Sequence, residues 1–327
     1  MRILITGGSG LVGRSIHRLM DNHFCGENVE SFFMRSNQCD LRNYGSTYTF
    51  ISEYQPDVII HLAACVGGLY KNINNRRIMF EDNFSINFNV LKIAYELNIK
   101  KVISCLSTCV FPDAVSYPLT EDTLHSGEPH SSNYPYAYSK RFLEIQSRIY
   151  NELGRSFICL IPTNMYGKCD NFSLEDGHVI PSLIHKFYNA MTENNPEVSI
   201  RGDGSALRQF LYVDDFARII LSFIKKKSVG EGNSNGDSND ISNTFIISPD
   251  IADEISIMDV ALLISKYVGF KGQIIKDTSF SNGQFKKTAS NHKLRKSFPN
   301  FQFTSVDNGL ETTIQWFISQ YPNLRLK

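Results

Sequence analysis

Short runs of Ile, Val, Leu and Phe alternate with longer stretches of helical periodicity through the first half of the chain. The β-rich runs predict strands over residues 2–6, 31–34, 57–62, 101–106 and 156–161. Several show no polar alternation, as parallel strands covered on both faces require. The periodic stretches between them predict helices over 11–22, 44–54, 78–98 and 137–153. Strand and helix in regular alternation define an α/β fold built on a doubly wound parallel sheet.

The second half is less regular and predicts a smaller C-terminal α/β domain. Helices are expected over 178–192 and 213–227, and a strand over 243–247 that returns to the main sheet. Residues 228–243 are almost all Gly, Ser, Asn, Asp and Glu and read as a flexible polar insertion. Ser256-x-x-Asp259 and Thr304-x-x-Asp307 have the form of N-terminal caps for two late helices, with 283–287 on a loop between them. The expected division is 1–165, joined by 210–248, against 166–209 with 249–327.

The helix near 84–97 carries apolar residues on two sides. Phe84, Phe88, Leu91 and Tyr95 fall on one stripe and Ile86, Val90, Ile93 and Leu97 on the opposite one. A surface helix needs one apolar face. A second one predicts either more of its own chain above the helix or, as favoured here, a homodimer through the helices near 78–98 and 137–153.

Charge and cysteine content narrow the class. Lys and Arg number 33 against 33 Asp and Glu, so the net charge is zero, which excludes a general nucleic-acid binder. The seven cysteines form no Cys-x-x-Cys pair, which argues for reduced, mostly buried thiols in place of a disulfide framework. The N-terminus enters a strand directly, and the apolar tracts near 58–66 and 157–162 are too short to cross a membrane. A cytoplasmic protein without a membrane partner is expected.

Gly7-Gly8-Ser9-Gly10-Leu11-Val12-Gly13 lies between the first strand and the first helix. Glycines there let the backbone approach a pyrophosphate, and the helix N-terminus supplies N–H groups and partial positive charge. This predicts a dinucleotide site on 1–165 and a substrate site on the remainder. An NAD site places an acidic residue about 20 positions further on. The second strand ends instead in Met34-Arg35-Ser36, a guanidinium and a hydroxyl suited to a 2′-phosphate, with Arg14 as a further cation. NADPH is therefore the expected cofactor, against the alternative that Arg35 is a solvated surface charge.

Tyr136 and Lys140 stand one helical turn apart in Tyr136-Ala137-Tyr138-Ser139-Lys140. An adjacent ammonium is expected to lower the phenol pKa and make it a usable acid and base. Tyr267 and Lys271 repeat the spacing, but only the first pair opens a helix after the fourth strand. That strand ends in Leu106-Ser107-Thr108-Cys109, where Ser107 can bond the oxygen that Tyr136 protonates.

The glycine loop, the Tyr-x-x-x-Lys pair and the upstream serine resemble the extended short-chain dehydrogenase/reductase family, most of whose members act on nucleotide sugars. The resemblance continues through nearly the whole chain. It includes Ile60-His61-Leu62-Ala63-Ala64, Val66-Gly67-Gly68, Val110-Phe111-Pro112, Pro162-Thr163-Asn164 and Asp170-Asn171-Phe172. It extends to His178-Val179-Ile180-Pro181, Arg208-Gln209-Phe210 and Gly283-Gln284-Phe285-Lys286-Lys287.

Within that family the resemblance implies a GDP-4-keto-6-deoxy-D-mannose substrate, inverted at C3 and C5 and reduced by NADPH at C4 to GDP-L-fucose. It assigns the epimerising acid and base to Cys109 and His178, with Tyr136, Ser107 and Lys140 serving the ketone oxygen. It adds Asp40, Leu62, Ala63, Ala64, Lys140, Pro162 and Asn164 to the cofactor contacts. Substrate contacts fall on Asn164, His178, Lys186, Arg208 and Lys286, with Lys287 nearby. Arg201 and Asn282 complete that set as departures, since the family often carries an aromatic and an acidic residue there. Taken alone, Cys109 reads as a buried thiol and His178 as a backbone-paired imidazole. A dehydratase would need an Asp-Glu pair where Cys109-Val110 stands. A nucleotide-sugar 4-epimerase or 4-ketoreductase remains the alternative, and a catalytically silent NADP sensor would need a broken Tyr/Lys/Ser set.

Overall fold

The structure is a computed structural model that describes residues 1–67, 69–226, 243–280 and 284–326. In chain order the first elements are β1 (Arg2–Thr6), α1 (Leu11–His23), β2 (Glu30–Met34), α2 (Tyr44–Tyr54), β3 (Val58–His61), α3 (Leu69–Asn74), α4 (Arg76–Glu96), β4 (Lys101–Cys105), α5 (Tyr134–Glu152) and β5 (Ser156–Pro162). Then come β6 (Asn164–Tyr166), α6 (Val179–Thr192), β7 (Glu197–Arg201), β8 (Leu207–Arg208), β9 (Phe210–Tyr212), α7 (Val213–Lys225) and β10 (Thr244–Ile247). The chain closes with β11 (Ile255–Ser256), α8 (Ile257–Val268), β12 (Gln273–Asp277), α9 (His292–Ser297) and α10 (Val306–Gln320).

The main sheet has six strands in the order β10-β5-β4-β3-β1-β2, and β1 through β5 pair in parallel as expected. Ile3, Leu4, Ile5, Ile59 and Ile60 are fully buried, the outcome anticipated for runs without polar alternation. Element ends follow local chemistry. Pro135 fits the first turn of α5, where no N–H partner is lost, so that helix starts three residues before the expected 137. Helix α4 stops at Glu96, and Asn98 just beyond takes a left-handed φ of 60°.

The chain divides into two compact units: Met1–Val115, Glu121–Pro162 and Phe216–Ile246 form one, and Ser116–Thr120, Thr163–Asp215 and Ile247–Lys327 the other. The first holds the sheet from β1 to β5. The second packs α6, α8 and α10 around Phe172, Phe187, Phe210 and Phe317. Gly309 lets α10 pass over Tyr166, since a Cβ there would lie 2.1 Å from the phenolic oxygen.

Some expectations change. Ser256 caps α8 by accepting from the Asp259 N–H, but the cap of α10 is Ser305, which accepts from Asn308. Thr304 is drawn off by Asp215, bonding it through both N–H and hydroxyl at 2.6 and 2.9 Å. On α4, Leu91 is fully buried with Val90 and Ile93 and leaves the outer stripe. That stripe is instead a stack of Phe80, Phe84 and Phe88, with Phe142 of α5 set edge-on against Phe84 at 5.4 Å. Among the cysteines only Cys39 and Cys159 are fully buried and Cys25 is exposed, so burial is less general than composition suggests. The polar insertion at 228–243 lies outside the described residues except for Asn243, which is buried before β10. No helix among the described residues is long and apolar enough to cross a membrane.

Candidate active site

In the first unit the predicted residues gather at the C-terminal ends of the parallel strands, where such sheets bind ligands. After β1, Gly7 adopts φ +70°, and a Cβ there would stand 2.9 Å from the Ala63 nitrogen. A Cβ on Gly13 would stand 2.6 Å from the Gly8 carbonyl oxygen. Backbone alone closes both positions to side chains. The cap of α1 is Gly10, with no side-chain bond to the first-turn N–H groups and no acidic residue in that turn. Those donors fit an anionic pyrophosphate. Arg14 braces the same loop through Nε on the Ser9 carbonyl at 3.0 Å.

Beyond β2, Arg35 and Ser36 are exposed, and the Arg35 N–H donates to Gln38 Oε1 at 2.8 Å to form a turn. Asp40 does not oppose them. Its two oxygens each accept from the Arg42 guanidinium at 2.9 Å, which holds the carboxyl below its usual range. Arg42 reaches on to Asp82 at 3.1 Å. A cation next to a neutralised carboxylate fits a 2′-phosphate better than a bare ribose diol.

Ser107 caps a single turn over Thr108–Val110 and accepts from the Cys109 N–H at 3.4 Å. Ser107, Cys109 and Tyr136 are half-buried, whereas Lys140 is only 1% exposed. Lys140 Nζ donates to the Cys105 carbonyl at 2.8 Å and lies 5.8 Å from the Tyr136 ring centre. One bond leaves two N–H donors of a buried ammonium, which fit the hydroxyls of a cofactor ribose. The tyrosine is not lowered as expected. Burial pushes its pKa well above 10, followed by Cys109, Cys105 and Cys65, and burial lowers Lys140. The second Tyr-x-x-x-Lys string is no such pair, because Gly269 ends α8 between Tyr267 and Lys271. Leu62, Ala63 and Ala64 follow β3, Pro162 ends β5 and Asn164 opens β6, exposed.

A network with no expected role stands behind this pair. Thr6 Oγ1 accepts from the Leu62 and Ala63 N–H groups at 3.2 Å, so its proton goes to His61 Nδ1 at 2.9 Å. His61 is then the Nε2–H tautomer and donates to Asn87 Oδ1 at 3.1 Å, while Asn87 donates to the Ser139 carbonyl at 3.3 Å. Ser139 Oγ bonds the Tyr136 carbonyl at 2.7 Å. His61 is fully buried, and burial first and the Lys140 charge second depress its pKa to about 3. Motif reading contained His61 but gave no reason to connect it with Asn87, 26 residues away.

In the second unit, His178 caps α6 instead of starting it. Gly177 permits the tight turn ahead of it, as a Cβ there would meet the Ser173 oxygen at 2.3 Å. The imidazole is exposed at its surface, yet desolvation by the surrounding protein lowers its pKa. The predicted substrate cations form two groups. Lys186 bonds the Ser199 carbonyl and hydroxyl, and its pKa is lowered by burial and then by the charge of Arg201. Arg201 lies 4.9 Å over the ring of Phe280, so an aromatic face is present although position 201 is not aromatic. Arg208 donates to the carbonyls of Leu207, Gln284 and Phe285, and Lys286 pairs with Glu254 at 3.5 Å. Asn282 lies outside the described residues.

A Rossmann-type sheet with this glycine loop and a Ser/Tyr/Lys set defines a nucleotide-dependent dehydrogenase or epimerase. The family model for the NAD dependent epimerase/dehydratase family matches residues 3–235, and the chain belongs to that family. The chain is 44% identical to a GDP-L-fucose synthase of Dictyostelium discoideum, over 99% of this chain and 97% of that one. It is 30% identical to a GDP-L-colitose synthase of Yersinia pseudotuberculosis over 99% and 100%. Among solved structures, a GDP-L-fucose synthetase of Naegleria fowleri bound to NADP superposes with a TM-score of 0.89 at 39% identity, covering 99% of this chain and 94% of that one.

Proposed function

We propose that this chain binds NADPH on its first unit and a GDP-linked 4-keto-6-deoxy-D-mannose through its second, and converts the sugar to GDP-L-fucose. The observation that carries the reading is the grouping of Ser107 and Cys109 after β4 with Tyr136 and Lys140 on α5, at the same end of the sheet as a glycine loop built for a pyrophosphate. Full-length similarity to GDP-L-fucose synthases supports the substrate. Gly7, Gly10 and Gly13 admit the pyrophosphate, Arg14, Arg35 and Ser36 hold the 2′-phosphate, and Lys140 takes the ribose hydroxyls.

Hydrogens on carbons beside a ketone are acidic, and inversion needs a base on one face and an acid on the other. Cys109 removes the proton from C3 or C5, Tyr136 and Ser107 donate hydrogen bonds to the enolate oxygen, and His178 returns a proton. His178 suits that task because an imidazole can carry and release a proton near neutrality. Tyr136 then protonates the C4 oxygen. The hydride for C4 comes from bound NADPH. Lys186, Arg201, Arg208 and Lys286 supply the positive charge for the GDP diphosphate. Product identification by NMR after incubation with the ketosugar and NADPH tests this. GDP-L-fucose is expected, with NADH a poorer donor; a product retaining the parental C3 and C5 configuration would exclude it in favour of a simple ketoreductase.

A homodimer through α4 and α5 is part of the same reading. Phe88, Phe142, Ile149 and Leu153 on these two helices are 40 to 55% exposed, more apolar surface than adjacent helices of a monomer usually leave in water. Sedimentation at micromolar concentration is expected to give twice the chain mass, and a monomer would refute the interface.

A further inference from the structure

Arg141 follows Lys140 on α5 and has no part in the reading above. Its side chain points inward and the residue is only 6% exposed. Nε donates to the Val110 carbonyl at 2.7 Å, and the guanidinium carbon lies 5.5 Å from the Tyr138 ring centre. Nη2 is buried with no hydrogen-bond partner among the described residues. A guanidinium stays charged in any protein environment, and a buried one is ordinarily matched by a carboxylate. Among the described residues no carboxylate pairs with it, and the charges that act on Arg141 are those of Tyr138 and Cys109.

Val110 closes the same single turn that carries Cys109, so the bond to its carbonyl fixes that turn against α5. We propose that Arg141 is a positioning residue for Cys109, clamping its turn through Val110 and placing a buried positive charge beside that turn, where it favours the ionised sulfur. This rests on the assignment of Cys109 as the base. In that step the thiolate takes a proton from C3 or C5 and becomes a thiol, the C–H electron pair forms the C=C bond of the enolate, and the carbonyl π pair moves to the C4 oxygen. Three titratable groups of α5 interact electrostatically with Cys109: Lys140 and Arg141, whose positive charges favour its ionised form, and Tyr136, which stays neutral. The spare donors of Lys140 are assigned to the cofactor ribose in the reading above, whereas the unpartnered Nη2 of Arg141 has no such assignment.

The test follows the pH midpoint of iodoacetamide labelling at Cys109, read from mass-spectrometric fragments that separate it from Cys105. Deuterium wash-in at C3 and C5 of the ketosugar is measured on the same proteins. Arg141→Gln keeps a donor for the Val110 carbonyl but removes the charge. It is expected to raise the midpoint by about one pH unit and to slow wash-in about tenfold at pH 7, with NADPH affinity intact. A midpoint equal to wild type would overturn the proposal. Arg141→Lys keeps the charge and is expected to hold the midpoint within about 0.3 unit. If the Gln variant does not bind NADPH, the Lys variant decides, and a midpoint raised by a full unit there overturns the electrostatic role. Loss of the base assignment is separately visible: normal wash-in by Cys109→Ser would remove it, while the labelling midpoint would still report on Arg141.

Discussion

Tyr136→Phe is expected to slow reduction of the 4-keto group by about 10²- to 10⁴-fold, measured as NADPH absorbance lost in the presence of the GDP-ketosugar. The substitution removes one oxygen and keeps the ring beside Lys140, whose anchor on the Cys105 carbonyl is independent of the phenol. NADPH affinity should therefore stay within a few-fold of wild type. The raised pKa has a definite sign here. A phenol held above its ordinary value keeps its proton as pH rises through neutrality, and in the proposed mechanism reduction consumes that proton at the C4 oxygen. Reduction should thus not decline between pH 6 and about 8 on account of this group. A variant within tenfold of wild type would mean that another group protonates the alkoxide.

Cys109→Ser is expected to lower deuterium wash-in at C3 and C5 by at least about 10²-fold when NADPH is absent. The serine hydroxyl fills nearly the same volume in the turn capped by Ser107, but it ionises far less readily than a thiol. In the proposed mechanism reduction does not use the sulfur, so with NADPH the variant should reduce C4 without inverting its neighbours. The product would keep the parental configuration at C3 and C5, which NMR coupling constants distinguish. Unchanged wash-in at both carbons would show that Cys109 is not the base.

The two predictions rest on residues whose spacing could be read directly. Tyr136 and Lys140 share a helix face and Ser107 and Cys109 follow the C-terminal end of β4, so local spacing places all four, although the role of Cys109 came from the family resemblance. The main sheet was equally readable, because strands buried on both faces leave unbroken apolar runs. The second unit was not. Strands β6, β8, β9 and β11 are two or three residues long and have no periodicity to detect. The cap of α10 moved because Asp215, 89 residues away, competes for Thr304. Arg141 escaped notice since an arginine on an amphipathic helix looks solvated until its burial is known. Lys140 was expected to dominate the phenol pKa, but desolvation, a property of the packed surroundings, outweighs it.

The hydrogen-bond chain from Thr6 through His61 and Asn87 to Ser139 runs in one direction throughout, with every proton already assigned. An imidazole whose pKa burial depresses to about 3 is neutral at pH 7 and so places no charged proton carrier behind Tyr136 and Lys140. The sheet side of the site therefore acts as an insulator for protons.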